Sequence, residues 1–82
     1  MPIPHELQNE FPNSVSAMER LAKRHDAFRL IAEAYADVNR QIWQIESERK
    51  PTSDEVLEQL KKRRLLLKDD IAVFLARDER RG

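Results

Sequence analysis

The sequence contains no cysteine and a single glycine, Gly82. Without cysteine there can be neither disulfides nor thiolate chemistry, and the redox compartment is left open. With glycine confined to the last position, few tight turns can be built, and long polar-faced helices are the economical arrangement. There is no surplus of one charge: fifteen Lys and Arg balance fifteen Asp and Glu. That removes the bulk electrostatic argument for binding nucleic acid, which rests on excess positive charge. No apolar run approaches the ~18 residues of a membrane span, so no membrane insertion is expected. "MPIPHEL" has neither a basic start nor a long apolar stretch, unlike a secretory signal. A soluble cytoplasmic protein is the expectation.

What is present is charge: 37% of the 82 residues are Asp, Glu, Lys or Arg, against a typical ~25%. A chain of this length makes one domain at most, near the lower limit for a self-sufficient core. Residues 1–13, "MPIPHELQNEFPN", hold three of the four prolines and read as an N-terminal arm. Within it "HELQNEF" has the length of one or two helical turns, ended by Pro12. Leu7 and Phe11 lie four apart, so one side of those turns is apolar and needs cover at Met18 and Leu21 or on a neighbouring subunit.

Residues 14–82 read as a helical hairpin. Ser16 and Glu19 form an S-x-x-E capping box. Beyond it Met18, Leu21, His25, Phe28, Ile31, Tyr35, Val38, Ile42 and Ile45 recur at steps of three and four, predicting one helix over about 15–48. Pro51 stops it within a turn at 49–53, and Thr52 with Glu55 supplies a second capping box. The second helix, about 54–79, repeats the period at Leu57, Leu60, Arg64, Leu67, Ile71 and Phe74. Two long amphipathic helices joined by a short connection lie antiparallel. The fold class is therefore all-α, an antiparallel, coiled-coil-like two-helix hairpin with a short N-terminal arm or helix. Reversal near residues 50–52 sets Phe28 against Phe74, Ile31 against Ile71, Tyr35 against Leu67 and Ile42 against Leu60. Arg64 falls opposite Val38, its head directed to Asp37 or solvent. Leu65 and Leu66 rotate off this seam with Val73, and Leu30 is likewise off it on the first helix. Leu65, Leu66 and Val73 form the candidate interaction face, because one hairpin cannot bury a second apolar side.

These residues carry a resemblance. "SDEVLEQLKKRRLLLKDDI", from Ser53, resembles a pattern of the YdcH family of small bacterial proteins: S-D, then L-K-K-x-R-L-x-L-K-D-E-I. Leu60, Lys61, Leu65, Leu67, Lys68 and Asp69 are its most distinctive positions. "HELQNEFP", Phe28, Tyr35, "VN" at 38–39 and "IWQIE" at 42–46 also fit, so the similarity covers nearly the whole chain. Asp70 departs from the family's usual glutamate, and Trp43 from a polar or aliphatic residue. The resemblance implies a helical hairpin that tends to self-associate, and it carries no established activity.

Sites for chemistry are not nominated. "HELQN" begins like a zinc-binding helix, but Asn9 stands where the second histidine would be. His25 precedes Asp26 without a nucleophile beside it. There is no glycine-rich phosphate loop and no paired-carboxylate pocket, so no catalytic residue, metal or cofactor is expected. The leading reading is a non-enzymatic self-association or protein-interaction module, a homo-oligomer (dimer or tetramer) or a hairpin docking on a protein partner. The alternative is a nucleic-acid-associated or regulatory factor using Lys61, Lys62, Arg63, Arg64, Arg77, Arg80 and Arg81. Balanced charge and the lack of aromatics among the basic residues weigh against it.

Overall fold

The computed structural model describes residues 3–47 and 52–81. They form four α-helices in the order α1 (His5–Glu10), α2 (Val15–Arg24), α3 (Asp26–Ser47) and α4 (Asp54–Arg81), with a 3-10 turn at Pro12–Ser14 between α1 and α2. There is no strand among the described residues. The predicted turn at 49–53 lies outside them, apart from Thr52 and Ser53. At 1.5 Å per residue, α3 is about 33 Å and α4 about 42 Å long, within overall dimensions of 46 × 21 × 20 Å.

The structure divides the predicted helix 15–48 at His25. This residue is extended, with φ −128° and ψ 110°. Its N–H donates to the Leu21 carbonyl at 2.8 Å, and its own carbonyl accepts from the Arg29 N–H at 3.2 Å. One residue thus closes α2 and opens α3. The charges fit that role, with Lys23 and Arg24 in the last turn of α2 and Asp26 in the first turn of α3. Each suits the partial charge of its helix end, so "KRHD" is a stop followed by a start. Neither proline nor glycine marks the break, and the spacing of three and four runs through it unbroken.

Two caps also differ from expectation. Ser16 lies inside α2, which makes no side-chain cap bond and grows out of the Pro12–Ser14 turn. Proline suits that start because its missing N–H has no helical partner to lose. At α4 the cap is Ser53, not Thr52. The Val56 N–H donates to the Ser53 hydroxyl at 3.2 Å, and the Leu57 N–H to the Ser53 carbonyl at 3.3 Å.

The arm is folded onto the same chain. Leu7 on α1 is fully buried and Ile3 nearly so, in one cluster with Met18, Leu21, Ala22, Phe28, Ala32, Tyr35, Ile71 and Leu75. The Gln8 side-chain amide donates to the Ile3 carbonyl at 2.7 Å, holding the first described residues to the helix. As α4 ascends from Lys61 to Asp78, its partners descend. Lys61 reaches Glu46 at 3.4 Å, Arg64 reaches Asn39 at 2.9 Å, Phe74 meets Phe28, and Asp78 pairs with Arg20 on α2 at 3.3 Å.

Candidate interaction surface

Of the nine seam residues, Phe28, Tyr35, Val38, Ile42 and Ile71 are buried, while Ile31, Leu60, Leu67 and Phe74 are half-buried. The Phe28 and Phe74 rings meet edge to face, centroids 5.5 Å apart, an arrangement favoured by their opposed edge and face charges. Sequence periodicity missed four core residues, Ile3, Ala22, Ala32 and Leu75. The alanines are small enough to read as neutral, but Leu75 follows Ile71 by one turn and carried a signal.

The three half-buried positions on α4 share a direction. α1 lies along one side of the α3–α4 seam, where Glu10 pairs with Lys68 of α4 at 2.7 Å. Leu60, Leu67 and Phe74 turn away from Lys61 and Lys68 on the helical wheel, toward the side that α1 does not cover.

Beside α1 the polar groups answer one another. A groove is lined by Glu6, Glu10, Tyr35, Asn39, Lys61, Arg64, Leu65 and Lys68, among others. Arg64 donates to the Asn39 side chain, not to Asp37, which instead engages Arg40 at 3.6 Å and accepts from Gln41 at 2.9 Å. Asn39 lies one residue beyond Val38 and on the α1 side of the seam, within reach of a long arginine. Burial, and then the nearby Glu10 charge, raise the pKa of Tyr35 above its ordinary value. The hydrogen bond that Lys68 donates to Glu10, followed by the Glu10 charge, raises that of Lys68. Two of the basic residues nominated for nucleic acid, Lys61 and Arg64, already have partners within the chain.

The candidate face does not hold together as one surface. Leu65, Leu66 and Val73 are 58%, 65% and 49% exposed. Consecutive residues of a helix point about 100° apart, and the two leucines border different grooves. Leu65 stands beside Glu10 and Tyr35, whereas Leu66 stands with Val56, Lys62 and Arg63. Val73, two turns beyond Leu66, shares its direction. The apolar face of α4 is therefore Leu66 with Val73, and Leu65 belongs to the side next to α1. Leu30, Trp43 and Val56 are also exposed.

A further groove gathers Arg20, Arg24, His25 and Arg77 around Phe74, with Asp78 held by Arg20. Arg20, Arg24 and His25 are far in sequence from Phe74, Arg77 and Asp78, and only Arg77 was nominated from it. Among the described residues, no three His, Asp or Glu side chains gather where they could hold a metal ion, and no helix is long and apolar enough to cross a membrane.

Taken together these features define a small all-helical protein with exposed aliphatics on its longest helix. A family model described as a protein of unknown function, DUF465, matches residues 28–75. That span is more than half of the chain, and the protein belongs to this family, which includes the YdcH-like proteins. The match begins at Phe28 and ends at Leu75, both in the core, and leaves α1 and α2 outside it. No curated protein and no solved structure matches the chain.

Proposed function

We propose that this is a cytoplasmic, non-enzymatic helical hairpin whose work is self-association or protein–protein interaction. In this reading α3 and α4 form the antiparallel hairpin, supported by partners that descend α3 as they ascend α4. The observation that carries the function is Leu66, 65% exposed at the middle of the longest helix. A two-helix hairpin buries little apolar area against the entropy of ordering its chain. Covering an exposed leucine or valine adds about 1.5–3 kcal/mol when burial is complete. The uncovered side of the seam gives a partner helix a place to lie.

Sedimentation across a concentration series tests the proposal. The wild-type chain should associate, and Leu66→Glu should sediment as a monomer. A wild-type monomer at high micromolar concentration, equally stable with Leu66→Glu, would refute it.

The groove of Arg20, Arg24, His25 and Arg77 favours a second reading, association with nucleic acid or another polyanion. Its test is binding to generic single-stranded DNA that weakens steeply with salt. Salt-insensitive or absent binding, unchanged by Arg24→Glu, rules against it.

A further inference from the structure

One stripe of α4 runs through Glu55, Gln59, Lys62, Leu66, Asp70, Val73 and Arg77, spaced by three and four and so facing one way. All seven are exposed. Its charges change sign about Leu66. Positions equally far before and after the leucine are Lys62 and Asp70, Gln59 and Val73, Glu55 and Arg77. On the flank, Arg63 and Asp69 stand in the same relation. We infer that the partner of this face is a second copy of the chain, laid α4 against α4 in antiparallel about a two-fold axis at Leu66. This rests on the self-association reading and specifies its surface.

A two-fold axis at Leu66 places every residue opposite its mirror position, because such an interface is built from the same patch twice. Leu66 then meets Leu66 of the other copy. Lys62 meets Asp70, Glu55 meets Arg77, and Gln59 covers Val73, each contact formed twice. A parallel pairing sets each residue against itself, so Glu55, Lys62, Asp70 and Arg77 would all face like charges, which costs affinity. Pairing within one helix does not account for the pattern. Successive charges along the stripe lie about two turns apart, beyond the reach of i,i+3 and i,i+4 contacts. Among the described residues, the ion pairs within the chain use other side chains, leaving Lys62, Arg63, Asp69, Asp70 and Arg77 without one. A partner of different sequence would not require sign reversal about a leucine. The stripe extends about 33 Å, so its contacts are spread along most of α4.

Charge exchange tests the arrangement on residues whose exposure leaves the fold intact. Lys62→Glu and Asp70→Lys each create two like-charge contacts and should weaken association on the order of tenfold or more. The double variant restores opposite charges and should return to near wild-type association. The absence of cysteine allows a second measurement. Gln59→Cys mixed with Val73→Cys should cross-link through a short bismaleimide, and Gln59→Cys alone should not. A wild-type chain that stays monomeric overturns this proposal together with the self-association reading. A wild-type chain that associates while the double variant does not recover, or while Gln59→Cys alone cross-links, overturns the antiparallel α4 pairing and leaves self-association standing.

Discussion

Leu7→Ala should be among the most damaging single changes in α1, although it lies outside the family-matched span. α1 has six residues, too few to hold a helix in water without tertiary contacts. Its attachment consists of Leu7, fully buried, Ile3, partly buried Phe11 and the pair from Glu10 to Lys68. These contributions are unequal. Truncating a buried leucine to alanine costs about 2–5 kcal/mol, the transfer of the lost methyl groups plus the cavity left behind. The Glu10 and Lys68 side chains are 42% and 39% exposed, and a pair so open to water adds little. The apolar anchor therefore dominates. Because α1 can detach instead of leaving a cavity, the loss is capped by the docking free energy of the arm, so about 2–4 kcal/mol is expected. In a domain of this size that lowers Tm by roughly 10–25 °C. Thermal and urea melts followed by circular dichroism would measure it, at one fixed protein concentration because association also shifts Tm. Glu10→Gln should move Tm far less, and limited proteolysis of Leu7→Ala should cut first before residue 15. A Leu7→Ala variant melting within about 2 °C of wild type would show that the arm contributes almost nothing to the fold.

Ser53→Ala should destabilise α4 by about 1 kcal/mol, the usual cost of losing an N-cap, while Thr52→Ala should be nearly neutral; equal effects in urea melts would count against the observed cap. The single tyrosine, Tyr35, should titrate above its ordinary 10.0 when followed by ultraviolet absorbance, because its folded pKa is raised by burial and by Glu10. Lys68 is raised from 10.5 in the folded chain. For both groups the raised folded pKa means a stabilising contribution that is complete below the unfolded value and is lost as pH climbs through the folded one. Stability should consequently fall above about pH 10, and a melt that is flat from pH 9 to 12 would contradict this.

How much of this was legible beforehand depends on the range of the interaction. The spacing of Phe28, Ile31, Tyr35, Val38 and Ile42 and the spacing of Leu60, Leu67, Ile71 and Phe74 were enough to place α3 and α4, since helical period is a local property of the chain. Balanced charge, and the turn to an acidic start at Asp54 and Glu55, were equally local. The break at His25 was half legible: "KRHD" carries the stop and start charges, but an apolar period running across it concealed the boundary. The cap of α4 was expected one residue early, at Thr52; the hydrogen bond from the Val56 N–H sets it at Ser53. Sidedness had no sequence signal. The return of α1 and α2 onto α3 and α4 put Ala32 and Leu75 in one core cluster with Leu7, Met18, Leu21 and Ala22, while Leu60, Leu67 and Phe74 stay half-buried. Arg64 met Asn39 across the seam, and with consecutive helical residues about 100° apart Leu65 borders the groove beside α1 while Leu66 borders another. Local periodicity determined which residues face inward from each helix; the docking of α1 and α2 on α3 and α4, which brings segments distant in the chain together, decided which side of that interior is closed.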